Sequence, residues 1–287
     1  MRLQALAKIN LGLDVVRKRE DGYHEVRMIM QTIRMYDIVE MRKKSQPGIT
    51  LKTNLSYIPT DRRNLVFQAA ELLMDEFQVT EGLDIRLKKV IPVAAGMAGG
   101  SSDAAAAMVG VNRLFCLGLS RKELMERGVR IGADVPYCIM RGTALAEGIG
   151  EKLTRLPELP FCYILVGKPG ISVSTRLAYE NLHLDTIARH PDIDGMIEDI
   201  RRRDLYAMAE KMENVFEPGI IGQYPVIGEI KKLMIECGAV QAMMSGSGPT
   251  VFGIFDQKKK LMEASRRLRK SGLAKTVFAT QTAGARR

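Results

Sequence analysis

The chain has no tryptophan, and aromatic residues make up only 6% of it. A protein that stacks bases on rings along a nucleic-acid strand needs more. The basic runs Arg201-Arg202-Arg203, Lys258-Lys259-Lys260 and Arg266–Lys270 have no aromatics interleaved with them. They fall in segments of apolar helical periodicity and read as solvated helix faces. Cysteine is sparse as well. Cys116, Cys138, Cys162 and Cys237 form no Cys-x-x-Cys pair, which argues against a zinc site or a disulfide framework and suits reduced thiols. The three histidines make no metal cluster, and His183 and His190 read as surface residues. The longest apolar run, Phe161–Val166, is far too short to span a bilayer. Met1-Arg2-Leu3-Gln4 has none of the pattern of a signal peptide. The expectation is a cytoplasmic protein that binds neither membrane nor nucleic acid and shows no obligate protein partner.

Common nucleotide motifs are missing too. There is no Gly-Lys-Ser or Gly-Lys-Thr of a Walker A loop, no His-Arg-Asp or Asp-Phe-Gly, and no Gly-x-Gly-x-x-Gly. What the chain does have is Pro92-Val93-Ala94-Ala95-Gly96-Met97-Ala98-Gly99-Gly100-Ser101-Ser102-Asp103, running directly into Ala104–Ala107. This is a glycine-rich loop feeding a helix N-terminus. Glycines let an anion approach the backbone closely, and the helix end adds partial positive charge. The predicted ligand is a phosphate, with Gly96, Gly99, Gly100, Ser101 and Ser102 as donors. A net charge of +10 suits a small, strongly anionic ligand.

Patterning predicts α+β wiring with an antiparallel sheet. Residues 1–40 read as strands around a charged turn at Lys18–Gly22. Helices are expected over Asn64–Phe77, Ser102–Phe115, Ile197–Val215, Val226–Cys237 and Lys258–Lys270, and strands over Leu83–Lys88, Phe161–Val166, Gln241–Ser245, Thr250–Phe255 and Thr276–Thr280. Ser120-Arg121-Lys122-Glu123 is a capping box. Gly132–Pro136 is read as a turn carrying Asp134. One boundary is expected, giving lobes 1–156 and 157–287.

Five short segments in order resemble the GHMP kinases. They are Ala7-Lys8-Ile9-Asn10-Leu11, Asp21-Gly22-Tyr23-His24-Glu25, the glycine loop, Gly132-Ala133-Asp134-Val135-Pro136, and Met244-Ser245-Gly246-Ser247-Gly248-Pro249-Thr250-Val251-Phe252. The resemblance covers essentially the whole chain. It implies two α+β lobes with the active site in the cleft between them, and ATP and Mg²⁺ as reactants. The acceptor it implies is the 2-hydroxyl of a cytidine diphosphate ester of methylerythritol, a small molecule of the non-mevalonate route to isoprenoid precursors. Other GHMP acceptors, homoserine or mevalonate, are the nearest rival. A basic RNA-binding protein on the same scaffold is a further one.

The resemblance also implies residue roles. Asp134 is the base for the attacking hydroxyl, with Lys8 as its cationic partner; without the resemblance they read as a turn-capping aspartate and a surface lysine. Asn10 suits a sugar-like hydroxyl. Pro92 opens the nucleotide loop, and Asn64 and Lys89 match positions near the nucleotide base, although Asn64 reads equally as a helix N-cap. Asp103 either faces Mg²⁺ or caps the helix; the metal's ligands stay unknown. Gly246, Ser247 and Gly248 form a second donor cluster or a simple hairpin turn. Tyr23 can stack on a pyrimidine and His24 can bond its edge. Tyr179 either covers the other face or packs on its own helix.

Overall fold

The computed structural model describes residues 1–182, 184–187 and 189–284, so His183 lies outside the described residues. The chain opens with two long strands, β1 (Arg2–Lys18) and β2 (His24–Lys44), which pair with each other around the expected charged turn. Then come β3 (Ile49–Thr53), α1 (Leu65–Glu76), β4 (Gly82–Lys88), α2 (Gly99–Leu114), α3 (Arg121–Gly128) and α4 (Val135–Met140). Next are β5 (Thr143–Glu147), β6 (Lys152–Arg155), β7 (Tyr163–Lys168), α5 (Thr175–Glu180), α6 (Ile193–Arg202), α7 (Leu205–Glu210) and α8 (Glu217–Gln223). The chain closes with α9 (Val226–Glu236), β8 (Gln241–Met244), β9 (Val251–Phe255), α10 (Lys258–Ser271) and β10 (Thr276–Gln281). Among the described residues no helix is long and apolar enough to cross a membrane.

Contacts divide the chain into two compact units. The first is Met1–Ala7, Met35–Val93 and Ala98–Met140; the second is Lys8–Arg34, Ala94–Met97 and Arg141–Arg287. These units are discontinuous in sequence. β1 and β2 run for 17 and 21 residues, and each contributes a segment to both units.

In the first unit β3 pairs parallel with β4, which pairs antiparallel with the far end of β2. Helix α1 packs on α2, and α2 on α4. The alanine run makes this possible: Ala104 to Ala107 are all buried, and small side chains let neighbours come close. Gly110 takes the same logic further, since a Cβ there would sit 2.2 Å from the Met41 sulfur. Helix α2 begins at Gly99, three residues before the predicted start. The predicted turn at 132–136 runs straight into α4, which the short apolar segment does not announce.

In the second unit β5 pairs antiparallel with both β2 and β6. A four-stranded antiparallel sheet has the order β10-β7-β9-β8, with α9 and α10 packed on it. Strand β9 is buried on both faces, so it reads as an unbroken apolar run. The predicted single helix over 197–215 is two helices. Arg203 turns left-handed (φ 60°), and the Asp204 carboxylate caps α7 by accepting from Tyr206 N and Ala207 N. The basic runs lie on α6 and α10; α10 buries Leu261, Ala264, Ser265 and Leu268.

One buried charge cluster holds the approach to α2. Asp37, fully buried in β2, accepts from Lys89 Nζ through one carboxylate oxygen and from Val90 N and Ile91 N (2.8 Å) through the other. Lys89 Nζ also donates to Asp103 Oδ2 at 2.7 Å, while Asp103 Oδ1 is buried without a partner among the described residues. Burial works against the Lys89 ammonium, but the two carboxylates outweigh it and raise its pKa. Asp103 is pushed well above the usual carboxylate range by burial; the Lys89 ammonium offsets this in part and the Asp37 charge adds to it.

Two variants test the cluster. Lys89→Met leaves the buried Asp37 and Asp103 side chains without their cation and is expected to cost about 3–5 kcal/mol of stability. Asp103 behaves differently. Its raised folded pKa stabilises the fold below the ordinary aspartate value of about 4, and that contribution is lost as pH rises through the folded value. Asp103→Asn removes the dependence. Denaturant titrations between about pH 5 and pH 8 should therefore move in the variant's favour relative to wild type. A stability difference that does not change with pH rules out this protonation state.

Candidate active site

In the first unit, α2 opens without a side-chain cap. Its N-cap residue, Ala98, is left-handed (φ 53°) and offers no side-chain acceptor or donor. The first N–H groups of any helix lack intrahelical acceptors, and here they belong to Gly99, Gly100 and Ser101. The loop ahead of them has left-handed residues at every second position, Ala94 (48°), Gly96 (70°) and Ala98 (53°). Right- and left-handed residues in alternation are a backbone pattern that can turn successive N–H groups toward an anion. An L-alanine in this region is strained by roughly 1–2 kcal/mol, so two alanines held there mark a loop whose shape is imposed by its surroundings.

Several expected nucleotide residues have their side chains engaged elsewhere. Ser102 donates its hydroxyl to Leu6 O at 2.6 Å and is 3% exposed. Asn64 caps α1: its Oδ1 accepts from Val66 N (2.9 Å) and its Nδ2 donates to Pro59 O (2.8 Å). Lys89 and Asp103 are bound into the charge cluster, and Asp103 is neither at the N-cap of α2 nor free of its lysine. Lys89 also has its N–H on Asn54 Oδ1 (2.7 Å) and its carbonyl on Asn54 Nδ2 (3.2 Å). Pro92 follows directly on Ile91, whose N–H Asp37 holds. Asp134 sits in the turn before α4, half-buried, and its carbonyl accepts from Cys138 N at 3.0 Å. Gly132 brings that turn near the helix start, where a Cβ on it would lie 4.0 Å from Ser101 Oγ.

In the second unit, two backbone loops meet. A Cβ on Gly96 would fall 2.0 Å from Ser245 O, and one on Gly246 would fall 3.1 Å from Gly96 O. Both glycines are left-handed, at φ 70° and 59°. Ser245 Oγ donates to Gly96 O at 2.9 Å, and the Ser247 hydroxyl shares a 2.9 Å hydrogen bond with Thr175 Oγ1. The segment that carries Gly246, Ser247 and Gly248 is thus packed on the glycine loop rather than standing as an isolated hairpin turn. Lys8 is 5% exposed; its N–H donates to Met97 O (3.2 Å) and its Nζ to Asn10 Oδ1 (2.7 Å). Asn10 Nδ2 lies 3.1 Å from Met28 Sδ.

The expected aromatic residues belong to this unit too. Tyr23 is 61% exposed at the tip of the first hairpin, where Asp21 accepts from its N–H at 3.1 Å. The His24 ring lies 5.0 Å from the Tyr179 ring at 32°, and Tyr179 lies 4.8 Å from Phe216 at 76°. Burial, with a smaller push from Lys18, lowers the pKa of His24, so its ring is neutral at neutral pH. Tyr179 therefore packs on rings outside its own helix.

Sequence reasoning missed Asp37, Thr175, Asn214, Phe216 and Glu217. Asp37 left a trace, as one acid in the apolar stretch Met35-Tyr36-Asp37-Ile38-Val39. The others left none, because each acts on a partner far away in sequence. Among the described residues no group of three or more His, Cys, Asp or Glu side chains can hold a metal.

Comparison with known proteins gives this geometry a context. Residues 64–142 match the N-terminal domain of the GHMP kinases and residues 196–274 match their C-terminal domain. A 4-diphosphocytidyl-2-C-methyl-D-erythritol kinase of Lachnospira eligens is 55% identical, over 98% of both chains. One of Lachnoclostridium phytofermentans is 52% identical, over 97% of this chain and 96% of the relative. A solved 4-(cytidine 5'-diphospho)-2C-methyl-D-erythritol kinase superposes with a TM-score of 0.85 at 30% identity, covering 99% of this chain and all of the other. The homoserine kinase of Cytophaga hutchinsonii shares the fold, with a TM-score of 0.75 at 17% identity. The chain belongs to the GHMP kinases, in the family of the 4-diphosphocytidyl-2-C-methyl-D-erythritol kinases.

Proposed function

We propose that this protein transfers the γ-phosphoryl group of ATP to the 2-hydroxyl of 4-diphosphocytidyl-2-C-methyl-D-erythritol, a step toward isoprenoid precursors. One structural observation carries the phosphoryl-transfer half: α2 opens uncapped behind a loop of alternating left-handed residues. The acceptor half is supported by full-length relatives of that name.

Phosphoryl transfer asks little covalent chemistry of a protein; it asks for donors around the phosphates and an aligned hydroxyl. Gly96, Gly99, Gly100 and Ser101 are the proposed phosphate donors. Pro92, Asn64, Lys89, Ser102 and Asp103 serve the nucleotide by shaping the loop and helix start rather than through free side-chain atoms. Asp134 is the proposed base, with Lys8 as the cation that keeps it ionised in the reaction. Asn10 is proposed to hold the acceptor hydroxyl region. Gly246, Ser247 and Gly248 lie against the acceptor, and Tyr23, His24 and Tyr179 take its cytosine. Mg²⁺ neutralises the triphosphate. It commonly binds through phosphates, water and one or two carboxylates rather than a protein cage, and among the described residues the donor set offers no cage. The enzyme is proposed to work in the cytoplasm on a small molecule alone.

A coupled assay for ADP release tests this directly. ATP and Mg²⁺ should be consumed only with the cytidine acceptor present. Equal turnover of homoserine or mevalonate would favour another GHMP acceptor, and salt-dependent RNA binding without turnover would favour the scaffold reading. Asp134→Asn should lower kcat by about 10²–10⁴-fold with little change in ATP affinity; near wild-type turnover rejects Asp134 as the base.

The aromatic residues make a separate claim. Removing the ring of Tyr23 or Tyr179 should weaken binding of a cytidine diphosphate analogue by about 1–3 kcal/mol. His24→Ala should narrow the preference for cytidine over uridine, because it removes an edge contact. Calorimetry reads both effects, and unchanged affinity in Tyr23→Ala sinks the stacking role.

A further inference from the structure

The segment Asn214-Val215-Phe216-Glu217 belongs to none of the five motifs, yet it touches three elements of the second unit's site. Its backbone runs beside β1. Leu13 N donates to Glu213 O (2.9 Å), Val215 N donates to Leu13 O (3.1 Å), and Leu13 bridges Asn214 in parallel. That strand carries Lys8 and Asn10. The Asn214 side chain, fully buried, reaches the loop that leaves β8. Its Nδ2 donates to both Met244 O and Gly246 O at 2.8 Å, and its Oδ1 accepts from Phe216 N at 3.1 Å. Glu217 takes the other side of Met244: its Oε1 accepts from Met244 N (2.7 Å), and Lys231 Nζ donates to its Oε2 (2.5 Å). Met244, the last residue of β8, is therefore held at both its N–H and its carbonyl. Between these two clamps stands Phe216, whose ring meets Tyr179, which in turn meets His24.

The chemistry of the clamp is specific. Two carbonyls and one N–H converge on one short, planar side chain. Asparagine supplies two donors and an acceptor from a single amide. Aspartate has the shape but no donor, and it would set a carboxylate against two carbonyl oxygens. Alanine would leave those groups buried and unpaired.

We propose that Asn214 is a positioning residue that holds the Gly246–Gly248 loop and the Phe216–Tyr179–His24 ring wall in one fixed relation, and thereby sets affinity for the acceptor. The proposal rests on the reading of this protein as a kinase of the cytidine diphosphate acceptor. The ring wall cannot shift without moving Phe216, and Phe216 N is tied to the amide that also holds Gly246 O.

Steady-state kinetics on Asn214→Asp, Tyr179→Ala and the double variant test it, at matched folded fraction by thermal melting. Asn214→Asp should raise the KM for the acceptor by about tenfold or more, with the KM for ATP within about twofold of wild type. The double variant should lose less than the product of the two single losses, because both act on one wall. A parallel change in both KM values, an unchanged acceptor KM, or strictly multiplicative losses overturns the proposal. If Asn214→Asp does not fold, Phe216→Leu and Phe216→Tyr take its place: the leucine should weaken binding of a cytidine diphosphate analogue more than the tyrosine, and equal effects overturn it. Wild-type protein that turns over the acceptor while the variants behave normally defeats this proposal alone. Wild-type protein that fails to turn it over defeats the kinase reading as well.

Discussion

The carbonyl oxygen of Ser245 occupies the place where a side chain on Gly96 would begin. A Cβ at Gly96 would lie 2.0 Å from that oxygen, far inside any allowed contact. Two loops 149 residues apart in sequence thus meet backbone to backbone in the second unit, sealed by the Ser245 hydroxyl on Gly96 O. The contact constrains the chain on both sides of it. In the glycine loop it holds left-handed Gly96. In the loop after β8 it fixes Gly246, which Asn214 grips from behind. Any substitution that adds a side chain at Gly96 must move a main chain, and main-chain movement here changes the direction of every N–H group in the loop.

In the first unit, charge is buried to hold the main chain. Asp37, Lys89 and Asp103 sit in the first unit with side chains almost fully covered. The two aspartates and the lysine hold a backbone bend there. Asp37 does this literally, since one of its oxygens receives the consecutive N–H groups of Val90 and Ile91. A buried pair like this contributes little net stability compared with apolar packing, but breaking it is costly, so its value is geometric. The closeness of Lys89 to α2 also explains Gly99, where a Cβ would press on Ile91 and the Lys89 ammonium.

How much of this the sequence could disclose depends on the range of each interaction. The local ones are legible. The capping box at Ser120 and Glu123 forms as its spacing predicts, and Asn64 caps α1 through the residue two ahead. Gly238 ends the segment after α9 in a left-handed turn, as a glycine there should. Alternation and apolar runs mark the main strands, whereas β3, β5 and β6 are not anticipated. The split between α6 and α7 is lost because Arg203 gives no sign of a left-handed residue, while Asp204 is a cap inside an otherwise helical periodicity. The five motifs carry the family because glycine and hydroxyl residues at fixed spacing describe backbone shape directly.

The hidden part consists of partners separated by long stretches of chain. Nothing at Lys89 points to Asp37, and nothing at Gly246 points to Asn214; each pairing exists only once the strands are in register. The consequence reaches into the reading of motifs. Ser102, Asn64, Lys89 and Asp103 stand where a nucleotide site is expected, yet in this chain Ser102 bonds Leu6, Asn64 bonds Val66 and Pro59, and Lys89 bonds Asp103 through one carboxyl oxygen. A motif position can thus serve a ligand in two ways, by touching it or by fixing the backbone that touches it. Residue identity alone does not separate the two, since the same hydroxyl or carboxylate suits either task. For Ser102 and Asn64, burial and partner favour the second task, since each side chain is bonded to the main chain. The N–H groups of Gly99, Gly100 and Ser101, which open α2 without a side-chain cap from Ala98, are among the donors proposed for phosphate.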